Sequence, residues 1–339
     1  MTPRRRTPLT DLRLDRRSLM AVTAGGAAVA TLGRGSIARA QDKPEVSVGS
    51  KDFTEQIILG ELTSLLLEEA GYPVNRQLNL GGTAVVHQAL VSGDVDVYTE
   101  YTGTGLLAIL ELPLPTADAA SPVASPVAEA SPVTEASPVA SGSLADTVYQ
   151  TVAAEYASQF NLVWLDPLGF NNTYVLAVGA ETASSLGLTT ISDLIGKEGD
   201  LTFGATQEFL TRPDGLPGLS EAYGLSFGDE RGFDPGLTYT ALDGGDVDVI
   251  SAFATDGQIA QLGLVALQDD LGFFPPYYAA PVVRQELLDE SPEVRDVLNQ
   301  LAGKLDDATM AGLNAQVAID QQEAVDVARS YLQGQGLVS

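Results

Sequence analysis

Four aromatic residues fall where a strand-like pattern gives way to a polar loop: Tyr101 in "EYTGT", Tyr174 in "FNNTY", Phe253 in "SAFATDG" and Tyr277 in "PPYY". Aromatics make up only 6% of the chain, so four at such junctions is a notable share. Taken singly, each ring would serve a hydrophobic core equally well. Converging on one cavity, they would suit a cation that cannot donate hydrogen bonds. A quaternary ammonium is such a cation, drawn to each well-placed ring face by about 0.5–2 kcal/mol when desolvated. Two cationic side chains also sit in turns, Lys51 in "GSKDF" and Arg212 in "LTRPDG". With Thr104 and backbone N–H groups at helix starts, they could hold a carboxylate.

Catalysis has weaker support. His87 is the only histidine, and it lies in the middle of the helical pattern "AVVHQAL", where a packed or surface side chain is the simpler reading. No serine–histidine pair accompanies a GxSxG, and the chain carries no metal-type histidine cluster, GxGxxG or Walker loop, so no cofactor or metal is expected. Acidic residues are numerous enough to leave a paired-carboxylate or Ca²⁺ site open. However, "DVDV" places its aspartates two apart on one strand face, which is not an EF-hand spacing.

The elements that must position these residues announce themselves by repetition. "ALVSGDVDV" at 89–97 and "ALDGGDVDV" at 241–249 agree at seven of nine positions across an offset of 152. Each reads as a helix end, a Gly-Asp turn and a strand. The same offset pairs Tyr101 with Phe253, one ring just past each strand core. Strands alternate with helices along the chain, which indicates an α/β fold with largely parallel sheets. In such sheets ligands sit beyond the carboxyl ends of the strands, where both rings would lie. Elsewhere "EVSVG" reads as a strand and "SKDFTEQ" as a polar turn, with a helix from Ile57 stopped by Gly71. Thr83 is the expected N-cap of the next helix. Residues 162–179 read as a strand pair around a polar turn, and 290–339 as two or three helices.

With 339 residues and 45% hydrophobic content, the chain is long enough for two domains with a substantial core. Its net charge of −27 argues against nucleic acid. Cysteine is absent, which excludes disulfides, thiol catalysis and a lipid-modified N-terminal cysteine. Residues 1–40 read as a signal peptide: a basic start, the short apolar run "LMAVTAGGAAVATL" and "ARA" before Gln41, with Arg16-Arg17 pointing to the twin-arginine route. Its removal takes away eight Arg and two Asp and leaves 10 basic against 43 acidic residues, a net charge of −33. The mature protein is therefore expected outside the cytoplasm, in the periplasm or at the cell surface. Residues 114–143 hold four Ser-Pro-Val units, at 121, 125, 131 and 137, and read as a solvated, disordered insertion.

Taken together, "VGSKDFTEQIILGE", "LGGTAVVHQAL", "GDVDVYTEYTGT", "GFNNTYVLAV", "EFLTRPDGLPGL", "FFPPY" and "LNAQV" resemble the substrate-binding proteins of osmoprotectant ABC importers. Those proteins capture glycine betaine, choline, carnitine or related solutes. The resemblance implies a two-lobed periplasmic-binding-protein (type II) fold, each lobe a mostly parallel sheet flanked by helices, with the ligand between them. One lobe would comprise 45–170 plus 270–339 and the other 171–269. It implies that Tyr101, Tyr174 and Tyr277 belong to an aromatic cage, with Asn172 lining it. It implies that Lys51, Thr104 and Arg212 bind a ligand carboxylate. Phe253 stands where the better studied betaine binders have tyrosine, keeping a π face without the hydroxyl. The expected partner is an ABC permease in the membrane, and the expected state a monomer. From the residues alone, two other readings stay open: the same fold holding another small solute such as an amino acid, and a secreted enzyme built on a carboxylate pair.

Overall fold

The computed structural model describes residues 43–115 and 143–339. The expected signal peptide at 1–40, and all but the edges of the proline-rich stretch at 114–143, lie outside the described residues.

In chain order the structure begins with β1 (Val46–Gly49), α1 (Thr54–Glu69), β2 (Val74–Gln77), α2 (Thr83–Ser92), β3 (Val97–Tyr101) and the single turn α3 (Thr102–Thr104). Then come α4 (Leu144–Phe160) and β4 (Leu162–Trp164). The chain next runs through β5 (Tyr174–Val178), α5 (Ala180–Leu186), β6 (Thr202–Thr206), α6 (Leu216–Tyr223) and β7 (Asp229–Phe233). It continues as α7 (Leu237–Asp243), β8 (Val249–Phe253), α8 (Gly257–Gln261) and β9 (Val265–Leu267). The last elements are β10 (Ala279–Arg284), α9 (Gln285–Glu290), α10 (Glu293–Leu298), α11 (Asp307–Ala318) and α12 (Ala324–Gly334).

These strands make two five-stranded sheets of one plan, ordered β2-β1-β3-β10-β4 and β7-β6-β8-β5-β9. Four strands of each sheet share a direction. β10 and β5 are the exceptions, antiparallel to both their neighbours. Each is the strand that has just crossed from the other sheet. A strand entering from the side where its neighbours end has to run against them. The two crossovers lie together: Asn171 bridges Tyr278, and the Asn172 N–H donates to the Tyr277 carbonyl at 3.1 Å.

Residues 162–179 therefore hold two strands that do not pair, since β4 closes one sheet and β5 enters the other. Nothing local in the sequence distinguishes a hairpin from a crossover of similar length. Thr83 is the first helical residue of α2 rather than its cap, a place taken by Gly82 in extended backbone. Helix α1 starts at Thr54, one turn earlier than its apolar pattern indicates.

Burial explains the sequence patterns. Helix α1 is apolar on most of its circumference, because it packs against the first sheet and against α10, α11 and α12. One apolar cluster runs from Ile58 and Leu62 of α1 through Tyr101, Tyr174 and Tyr277 to Phe203 and Leu219, so it is continuous across both sheets. The repeated nonapeptides form the same turn twice. Gly93 and Gly245 take left-handed backbone, φ 83° and 74°, where a side chain would be strained. Asp94 N–H then donates to Ala89 O at 2.9 Å, and Asp246 N–H to Ala241 O at 2.8 Å. Further on, the Asp96 and Asp248 carboxylates accept from Ser47 N–H at 2.9 Å and Thr202 N–H at 2.8 Å, tying each copy to the neighbouring strand.

Candidate functional site

The strands of both sheets end on a common cavity of about 240 Å³. All eight residues named from the sequence line it: Lys51 just past β1, Tyr101 and Phe253 as the last residues of β3 and β8, Thr104 in α3, Asn172 and Tyr277 on the crossovers, Tyr174 opening β5, and Arg212 in the loop after β6. This is where an α/β sheet presents its loops. Tyr101, Tyr174 and Tyr277 are 4%, 8% and 1% exposed, so their faces are already out of bulk water.

The rings touch one another. Tyr174 lies 4.9 Å from Phe253 at 30° and 5.5 Å from Tyr277 at 88°. Phe53, in the turn before α1, stacks 5.4 Å from Phe253 and 6.3 Å from Tyr101. Phe53 is a fifth ring that the sequence reading passed over as part of a polar turn. It stands in the loop after β1 rather than at a strand's last residue, so the signal that marked Tyr101 and Phe253 was absent. Gly103 lets Tyr277 lie close: a Cβ there would stand 2.7 Å from the ring.

Behind the rings sits a polar hub. Glu55, in the first turn of α1, accepts from the Tyr101 hydroxyl at 2.7 Å and Asn172 Nδ2 at 2.8 Å through one oxygen. Through the other it accepts from the Thr255 hydroxyl at 2.6 Å and Asn314 Nδ2 at 3.0 Å. Burial raises its carboxyl to about 7, against the pull of those donors and with a further push from Asp256. Burial, and then the charge of Glu55, lifts the Tyr101 phenol far above its usual range, so the ring stays neutral.

The two cations are already engaged. Lys51 Nζ donates to Glu100 Oε1 at 2.6 Å and to Thr83 Oγ1 at 3.0 Å. Arg212 forks onto Asp214, Nε at 2.8 Å and Nη2 at 2.5 Å, and Nη2 also reaches Thr104 Oγ1 at 3.1 Å. Tyr277 donates its hydroxyl to the same Asp214 at 2.7 Å. Glu208, a further lining residue, approaches Arg212 Nη1 at 3.3 Å. Glu100, Asp214 and Glu208 escaped notice because this acidic chain offers carboxylates everywhere.

The site lacks the parts of an acid–base catalyst built on histidine. His87 packs edge-on against Tyr156 and Phe160 of α4, at 5.5 and 4.8 Å, and burial lowers its imidazole pKa. Among the described residues no cluster of three or more potential ligands could hold a metal, and no helix is long and apolar enough to cross a membrane.

Two α/β lobes linked by paired crossovers, with a ring-lined cavity at their strand ends, define a type II periplasmic solute-binding protein. The chain belongs to the family of substrate-binding domains of ABC-type glycine betaine transport systems, whose model matches residues 44–334. It is 36% identical over 298 residues to the ergothioneine transport permease/ergothioneine-binding protein EgtU of Helicobacter pylori, covering 88% of this chain. The chain spans about half, 48%, of that relative's length. It is 37% identical to the glycine-betaine-binding protein of Pseudomonas aeruginosa, covering 84% of this chain and 86% of the other. A crystal structure of a glycine betaine/carnitine/choline ABC transporter protein superposes with a TM-score of 0.65 at 29% identity, over 86% of this chain and 99% of its own.

Proposed function

We propose that this protein is exported, captures a quaternary ammonium solute between its lobes and delivers it to an ABC permease in the membrane, acting as a monomer without chemical change to the solute. The observation that carries this reading is the cavity itself: six aromatic rings, Phe53, Tyr101, Tyr174, Phe233, Phe253 and Tyr277, around about 240 Å³, enough for a small solute and too little for a drug-sized one. The lobes, 45–170 with 270–339 and 171–269, close on the cation, with Tyr101, Tyr174, Phe253 and Tyr277 supplying ring faces and Asn172 completing the wall. Lys51, Thr104 and Arg212 border the same space and set its polar end. The names of the relatives, which include glycine-betaine- and ergothioneine-binding proteins, support a methylated ammonium as the shared element.

Isothermal titration of the purified protein with glycine betaine, choline, carnitine and ergothioneine tests the reading, with glutamate and histidine as controls. Micromolar binding confined to the methylated ammonium compounds is expected. Tyr277→Ala should weaken it by about 1–3 kcal/mol. Binding of the amino acids alone would sink the reading. Recovery of a chemically altered solute would point to an enzyme instead.

A further inference from the structure

A ligand carboxylate in this cavity would seek the start of α2, Lys51, Thr83 and Arg212. Another group already faces them. Glu208 extends from the loop after β6, on the second sheet, to the start of α2 on the first. Its Oε2 lies 3.1 Å from where a Cβ on Gly82 would stand, flat against the backbone that opens the helix. Its other oxygen approaches Arg212 at 3.3 Å. Burial pushes its carboxyl up, but the charges of Lys51 and Arg212 and hydrogen bonds from Thr83 and Arg212 outweigh this and hold it below the usual carboxylate range.

The local charge then falls on the negative side. Lys51 is matched by Glu100 and Arg212 by Asp214, in contacts of 2.6 and 2.5 Å between side chains almost wholly buried. Glu208 adds a third carboxylate to two cations, and Asp52 and Asp234 line the same cavity. A second carboxylate brought by a zwitterion would meet Glu208 at short range, in a partly desolvated space where like charges repel strongly. A hydroxyl in that position would donate to Glu208 instead.

We infer that Glu208 is a specificity-determining residue that stands in for a ligand carboxylate, so that the site selects a singly charged quaternary ammonium alcohol, of the choline kind, over zwitterionic betaines. This rests on the quaternary-ammonium reading above. It gives the two lobes a bridge across the cavity mouth, one that a cationic ligand strengthens and a zwitterion has to displace.

The test is a titration of the unaltered protein and of Glu208→Gln with choline and with glycine betaine. The unaltered protein should bind choline at least 10-fold more tightly. Glu208→Gln should weaken choline about 10-fold while leaving glycine betaine unchanged or tighter, so that the ratio of the two affinities falls by 10-fold or more. A general loss of structure would lower both affinities and leave the ratio alone, so the ratio reads the charge and not the fold. Tighter binding of glycine betaine by the unaltered protein, or a ratio untouched by Glu208→Gln, overturns the inference and leaves the proposed function standing. Absence of binding by both ligands overturns the inference, and it overturns the proposed function as well when carnitine and ergothioneine also fail to bind.

Discussion

Residues 89–104 and 241–256 start alike and end differently. Both copies leave a helix through a left-handed glycine, anchor an aspartate to the neighbouring strand and finish a five-residue strand on an aromatic ring. From the ring onward they part. Tyr101 hands its hydroxyl to the buried Glu55, and its successor Thr104 accepts from Arg212. Phe253 has no hydroxyl to give, and Asp256, at the position equivalent to Thr104, instead accepts from the Phe253 N–H and the Tyr239 hydroxyl. The scaffold is duplicated up to the last strand residue, and the side-chain chemistry of the two copies diverges from there. The first copy ties its ring through Glu55 into a network with Asn172, Thr255 and Asn314. The second leaves its ring held by packing alone, against Phe53 and Tyr174.

That contrast can be broken first at Glu55. Glu55→Ala removes the acceptor of four buried donors, of which the Thr255 hydroxyl has another acceptor, Asn172 Oδ1 at 2.9 Å, and should destabilise the protein by about 3–4 kcal/mol, read as a shift in the urea midpoint. Loss of less than 1 kcal/mol would mean the network is ornamental. The pH dependence comes next. The Glu55 carboxyl rises from 4.5 unfolded to about 7 folded, so its contribution is complete below about 4.5 and lost as pH rises through 7. The stability advantage of the unaltered protein over Glu55→Gln should therefore shrink by roughly 3 kcal/mol between pH 4.5 and 8. An advantage that stays constant across that window would refute the raised carboxyl.

Tyr101→Phe converts the first ring to the form of the second. It should cost about 1–1.5 kcal/mol of stability, since Glu55 loses one of its donors, while ligand affinity changes less than 3-fold because the π face remains. The reciprocal change, Phe253→Tyr, is expected to be the mildest, within about 0.5 kcal/mol in stability. A larger penalty would show that the second ring is more tightly enclosed than its packing indicates. Parallel denaturation and titration of the two variants separate these outcomes.

The reach of the sequence can be judged from the same residues. A period-2 strand that ends on an aromatic leaves a local trace, which is why the offset alone matches Tyr101 with Phe253. Residue type did the same for Lys51 and Arg212, the rare cations of an acidic chain. Their neutralising partners left no such trace, because Glu100 and Asp214 look like any other of the 45 acidic residues. Phe53 was hidden by the polar residues around it, and it stands in the loop past the end of β1, whereas Tyr101 is the last residue of β3. The sheet assignment of β4 and β5 was hidden for a different reason: strand direction depends on long-range pairing, which no short window encodes. Thr83 was misplaced by one residue, since Gly82 can open a helix without a side-chain cap and frees the threonine hydroxyl for Lys51.

The side-by-side crossovers carry a consequence for how a solute would leave. Asn172 and Tyr277, which face the cavity, are also the residues whose main chains are joined between the two connections. If the lobes part about these connections, that wall of the cavity lies on the axle while Glu208 and Phe253 ride on the swinging jaw. A solute would then keep its contacts at the axle until the jaw has cleared it. Its residence time would follow the rocking of the second lobe, and a permease that pries the lobes apart would receive the solute from a fixed floor rather than from a collapsing pocket.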